Sequence, residues 1–322
     1  MTSILEPSPE SHDSPAVRRQ QPGIAFLFIG PNGIRAGWRL LLFIIITVII
    51  GFLLGSALRA GAYGLSRGSG PLPLIFAEGT GFVSLVLAGA LMARIEGRSF
   101  ADYGLEGQSA LGARFWFGAV WGFAGLSLLI LGIRAAHGFS FGTFALEGTR
   151  LARYAALWAI VFLLVGLFEE FLMRGYALYT LTTGMGFWPS AVLLSAIFGA
   201  IHLRNPGESW VGGLAAAFIG LFFCFTVRRT GDLWFAIGLH ATWDYSESFL
   251  YSVPDSGVMV EGHLLNASFH GPAWLTGGPV GPEGSVLVFI LIGTMLVVFH
   301  HVYPNVRYPL TGCGKRPPSL SS

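Results

Sequence analysis

Residues 163–178 read LLVGLFEEFLMRGYAL, an apolar helix interrupted by Glu169, Glu170 and Arg174. Insertion into a bilayer costs about 2.5–3.5 kcal/mol for each ionisable residue near a helix centre, while a Leu or Phe returns only about 0.3–0.6 kcal/mol. Three such residues nearly cancel the drive of this helix to enter lipid, so they must face a polar or water-filled interior that other helices enclose. Later apolar runs supply His202, His240 and Asp244 as candidate neighbours.

The rest of the chain is built for lipid. Of 322 residues, 53% are hydrophobic and 11% charged, and the mean hydropathy is +0.65. These values exclude a soluble globular composition and indicate an all-α, polytopic membrane helix bundle. A net charge of +2 without long basic runs excludes a nucleic-acid partner, leaving lipids and membrane-associated peptides. Cys224 lies in an apolar run and Cys313 in a polar tail, so both are expected as free thiols. Lys315 is the single lysine, an arginine bias that fits a GC-rich bacterial genome.

Apolar runs long enough to cross a bilayer fall at roughly 37–58, 74–93, 115–133, 154–182, 188–203, 210–228, 232–252 and 284–302, about eight transmembrane helices. The expected organisation is a disordered cytoplasmic tail over 1–24, N-terminal transmembrane helices in 25–149 and a core in 150–252. An external loop or lid over 253–283 and a final helix with its tail over 284–322 complete it. With the N-terminus inside, twelve basic residues fall on the cytoplasmic side and six outside, as the positive-inside rule requires. The expected location is therefore a bacterial plasma membrane with a cytoplasmic N-terminus. The fifth run is short and ends in HLRNPGE, consistent with a helix that stops inside the protein.

Helical geometry brings the polar residues to one depth. Measured from the turn after residue 182, Glu169 and His202 both lie about 20 Å away, and His240 lies about 16 Å from Arg229 on the same side. Glu170 and Arg174, at i and i+4, share a face and neutralise each other. Glu169 is rotated about 100° from that face and is free to act as a general base. Phe198 and His202 share a face, as do His240 and Asp244, where a carboxylate can orient an imidazole or both can bind an ion. Blander roles suit other residues: Asp232 as a helix N-cap, Glu78 at the interface, His263 and His270 as solvated loop residues, and Trp38, Trp188, Trp210 and Trp234 as interfacial anchors.

Together, EEFLMR (Glu169–Arg174), FGAIH (Phe198–His202) followed by Asn205-Pro206, and HATWD (His240–Asp244) resemble the EExxxR, FxxxH and HxxxN/D motifs of the CPBP family. That family of intramembrane proteases includes type II CAAX prenyl endopeptidases, lysostaphin-resistance-like proteins and bacteriocin-immunity proteins. The resemblance covers roughly residues 150–250. It implies that Glu169 activates water, His202 positions it, and His240 with Asp244 binds the oxyanion, with Glu170, Arg174, Phe198 and Asn205 in support. Many members carry Asn where this chain has Asp244, and an ionised aspartate cannot donate to an oxyanion. Asp244 is better cast as the orienter of His240 or as a metal ligand. His202, His240 and Asp244 could hold zinc, and the family has been described as both metal- and glutamate-dependent, so sequence leaves the cofactor open.

The sequence thus favours an intramembrane endopeptidase acting on a lipidated or membrane-embedded peptide. A proton- or ion-coupled transporter and a catalytically silent immunity or scaffold protein are the alternatives; no inverted repeat supports the transporter.

Overall fold

The computed structural model describes residues 25–30, 33–61 and 70–308, so the expected tail over 1–24, Cys313 and Lys315 lie outside the described residues. Residues 25–35 belong to a small unit in which a helical turn at Ala25–Phe28 leads into an antiparallel pairing of Ile29 with Ile34 and Gly30 with Gly33. The remaining described residues belong to one larger unit.

In that unit each expected apolar run is helical, because a helix satisfies its backbone polar groups internally where no water can. The helices are α1 (Ala36–Gly61), α2 (Pro71–Glu96), α3 (Ala113–Ala135) and α4 (Gly148–Met185). They continue with α5 (Phe187–His202), α6 (Trp210–Thr230), α7 (Trp234–Asp244, extended by a wide π turn over Tyr245–Leu250) and α8 (Val286–Val302). Five of them, α1 to α4 and α6, are long and apolar enough to cross a membrane, whereas α5 and α8 are shorter. The fold is an all-α membrane bundle, with eight full crossings an expectation rather than a finding.

Burial separates the helices by role. α1 exposes Val48, Ile49, Phe52 and Leu53, a surface suited to lipid tails. α7 does the opposite: from Trp234 to Asp244 every residue except Thr242 is buried. It is held there by glycine-mediated contact. A Cβ on Gly118 of α3 would lie 2.0 Å from the Phe235 carbonyl oxygen, one on Gly122 2.2 Å from that of Leu239, and one on Gly238 2.0 Å from that of Phe115. Gly118 and Gly122 are four apart, the small-residue spacing that lets helix backbones touch in lipid. Thr242 adds a hydrogen bond from its hydroxyl to the Ala119 carbonyl at 2.8 Å.

The segment after α7 is a loop with short structured pieces, and it is tied back to the bundle. Ser268–Phe269 pairs with Phe139–Ser140, the N–H of Gly257 donates to the Val280 carbonyl at 2.8 Å, and Asn205 Nδ2 donates to the Ser256 carbonyl at 3.2 Å. Trp38, Trp188 and Trp210 are exposed, as anchors must be, but Trp234 is not. Its ring is buried and its indole N–H donates to the Glu106 carbonyl at 2.9 Å. Asp232 stands one residue before the N-cap of α7, Leu233; its carboxylate accepts from the Trp234 N–H at 3.1 Å and also pairs with Arg114.

Candidate active site

The two adjacent glutamates of α4 have different surroundings because a helix turns them apart. Glu170 is fully buried and accepts from Arg174 Nη1 at 3.0 Å, also fully buried. The guanidinium lies over the rings of Phe198, 4.4 Å from its centroid, and Phe223, 5.2 Å away, where cation–π attraction replaces part of its lost hydration. Glu169, with 28% of its side chain exposed, opens onto an internal cavity. Directly after this pair the helix widens into a π turn over Phe171–Ala177, and Gly175 leaves helical geometry at φ −80°, ψ −112°. Such turns concentrate at functional sites.

Cross-helix contacts assemble the rest. His240 Nδ1 lies 2.9 Å from Glu170 Oε1, while its Nε2 lies 3.4 Å from Asp244 Oδ2 and 3.7 Å from Glu169 Oε2. An ionised carboxylate only accepts, so Nδ1 carries the hydrogen and Nε2 is the nitrogen presented to the cavity. Asp244, cast from sequence as the orienter of His240 or as a metal ligand, stands on the Nε2 side of the ring, and Glu170 holds Nδ1. The Phe223 ring stacks on the imidazole with centroids 5.2 Å apart.

His202 ends α5 with Nδ1 2.8 Å from the Phe198 carbonyl oxygen, so Nδ1 donates there and Nε2 is the nitrogen left for other partners. The Phe198 ring sits between the two imidazoles, 4.4 Å from the centroid of His202 and 6.4 Å from that of His240. Glu169, His202, Asn205, His240 and Asp244 all line the same cavity of about 200 Å³. Glu78 of α2, assigned to the interface from sequence, is half-buried within electrostatic reach of Glu169. His263 and His270 stay in the loop, bonded to the Leu265 carbonyl and the Ser268 hydroxyl.

The cavity has a second acidic wall that sequence did not reveal. Asp255 and Glu283 line it from the loop, and Glu247 lies buried behind them on the π turn of α7. Burial, reinforced by the charges of Asp244 and Glu283, pushes the Asp255 carboxyl well above the usual carboxylate range. A partial signal was present in DYSES, where Glu247 and Ser248 follow Asp244 at i+3 and i+4. Nothing local marks Asp255 or Glu283.

Zinc can be tested against the donors present. A tetrahedral ion with bonds near ~2.0–2.1 Å needs its ligand atoms about 3.3 Å apart. Among the described residues, His202, His240 and Asp244 do not bring three donors within 4.8 Å of one another. This donor set does not fit zinc, and no catalytic step is derived through a metal.

Carboxylate and imidazole groups from three helices thus meet at one internal cavity of a helical membrane bundle. The model of the family described as Type II CAAX prenyl endopeptidase Rce1-like matches residues 151–246, from the first turn of α4 into the π turn of α7, so that segment of the chain is similar to this family. No curated protein and no solved structure matches the chain.

Proposed function

We propose that this protein is an endopeptidase that hydrolyses a peptide bond of a lipidated or membrane-embedded substrate, with water activated by Glu169. The observation that carries this reading is the division of labour around His240. Glu170 fixes Nδ1, so Nε2 and the partly open Glu169 carboxylate face one cavity 3.7 Å apart. Glu169 takes a proton from water as it attacks the scissile carbonyl, and His202 Nε2 accepts a hydrogen bond that orients that water. His240, held as an imidazolium by the carboxylates of Glu170 and Asp244 on either side of its ring, donates from Nε2 to the oxyanion in surroundings where low dielectric strengthens the contact. Glu169 then returns its proton to the leaving amine. Asp244 balances the imidazolium charge. Trp158, Phe162 and Val165 supply an apolar cavity wall suited to a lipid or apolar side chain.

The test compares wild-type and Glu169→Gln proteins in nanodiscs against a quenched prenylated CAAX peptide and a set of unprenylated membrane peptides. A fall in kcat of about 10²–10⁴-fold, with unchanged thermal unfolding, is expected for loss of a general base. Equal turnover by the two proteins would remove the mechanism. Turnover should also survive 1,10-phenanthroline, since the donors around Glu169 do not close on a zinc ion.

A further inference from the structure

The acidic wall lies beyond the matched family segment and has no place in the hydrolysis described above. One carboxylate oxygen each from Glu247, Asp255 and Glu283 can be chosen so that all three lie within 4.8 Å of one another. Glu247 is 0% exposed, and neither of its oxygens has a hydrogen-bond partner. A carboxylate in that position is costly unless something compensates it. Glu283 accepts from Trp243 Nε1 at 3.0 Å and from the Ser256 hydroxyl at 2.7 Å, and Asp255 accepts from the Ser248 hydroxyl at 3.1 Å. These donors fix two of the carboxylates without neutralising them. No Arg or Lys forms an ion pair with the cluster among the described residues.

A cation would compensate Glu247, and the spacing of the three oxygens admits one. A calcium ion with oxygens at about 2.3–2.6 Å holds ligand atoms up to roughly 5 Å apart across the ion. A backbone oxygen is also close by. A Cβ placed on Gly281, where φ is +98°, would lie 1.9 Å from the Pro254 carbonyl oxygen and 3.4 Å from Glu247 Oε1. Gly281 is thus what lets the loop approach the acid so closely.

We infer that Glu247, Asp255 and Glu283 form a binding site for a hard divalent cation, calcium in preference to magnesium or zinc, that fastens the 252–283 loop to the end of α7. A ligand set of three carboxyl groups, all oxygen, selects such an ion, which displaces their protons on binding, and water completes its shell. The ion is structural. It sits behind the wall that carries Asp255 and Glu283 and holds that wall closed over the cavity.

The full-length protein, stripped with EGTA in detergent, is titrated with Ca²⁺, Mg²⁺ and Zn²⁺ while thermal unfolding is followed by tryptophan fluorescence. Calcium at about 100 times its Kd should raise the unfolding temperature by roughly 5 °C, with magnesium weaker. Glu247→Gln should abolish the shift and unfold at a higher temperature than the metal-free wild type, because it relieves carboxylate repulsion. Glu169→Gln should keep the full shift, whatever becomes of its peptidase activity. The absence of a calcium shift in the wild type, or an equal shift in Glu247→Gln, overturns the site. If Glu247→Gln does not fold, the calcium content of the purified wild type decides: about one ion per chain supports the site, and none overturns it.

Discussion

Replacing Gly238 by alanine tests whether helix contact sets the position of His240. The added Cβ would stand 2.0 Å from the Phe115 carbonyl oxygen, where ordinary contact begins at 3.4 Å. The obstacle is backbone on the opposing helix, with no rotamer to yield, so α3 and α7 must separate by about 1 Å or more. Alanine improves helix propensity by about 1 kcal/mol, whereas overpacking costs about 1–3 kcal/mol. A rigid backbone collision falls at the upper end of that range, leaving a net loss of about 1–2 kcal/mol and a Tm lowered by a few degrees. Activity should suffer more. His240 is two residues away, and a 1 Å shift breaks its 2.9 Å contact with Glu170; misplacement on that scale costs about 10²-fold in rate. The assay is kcat for prenylated-peptide cleavage beside Tm, with Gly293→Ala as control, since a Cβ there meets nothing within 4 Å. Wild-type kcat and Tm in Gly238→Ala would refute the claim that this contact positions the site.

Arg174→Met should cost about 3–5 kcal/mol, because it leaves Glu170 ionised and buried without its cation; the double variant Glu170→Gln/Arg174→Met should recover much of that stability in chemical denaturation but not the cleavage rate. Asp244→Asn and Asp244→Leu should each lower kcat about tenfold or more with little change in KM, because neither side chain can balance the imidazolium charge of His240; full turnover by the Asn variant would show that the negative charge is not required.

The helical reading of the candidate site succeeded where the relation was intrahelical. Glu170 and Arg174 do pair at i and i+4, and Glu169 does turn away toward the cavity, since both follow from 3.6 residues per turn. The same logic stops short at Asp244. Its i+4 spacing places it beside His240, but an imidazole has two nitrogens, and only the approach of α4 decides that Glu170 takes Nδ1. Trp234 shows a similar limit: a span-end position suggested an anchor, yet the loop carrying Glu106 folds over it.

Composition and periodicity alone therefore determined a helical membrane protein, the position of its helices and which side chains share a helix face, because these depend on local geometry and on transfer into lipid. Only the tertiary structure decided which nitrogen of His240 meets which carboxylate, and that Asp255 and Glu283 join Glu247 behind the cavity. Those outcomes depend on how closely Gly118, Gly122 and Gly238 let two backbones approach and on where a long loop closes, distances that no repeat along the chain encodes.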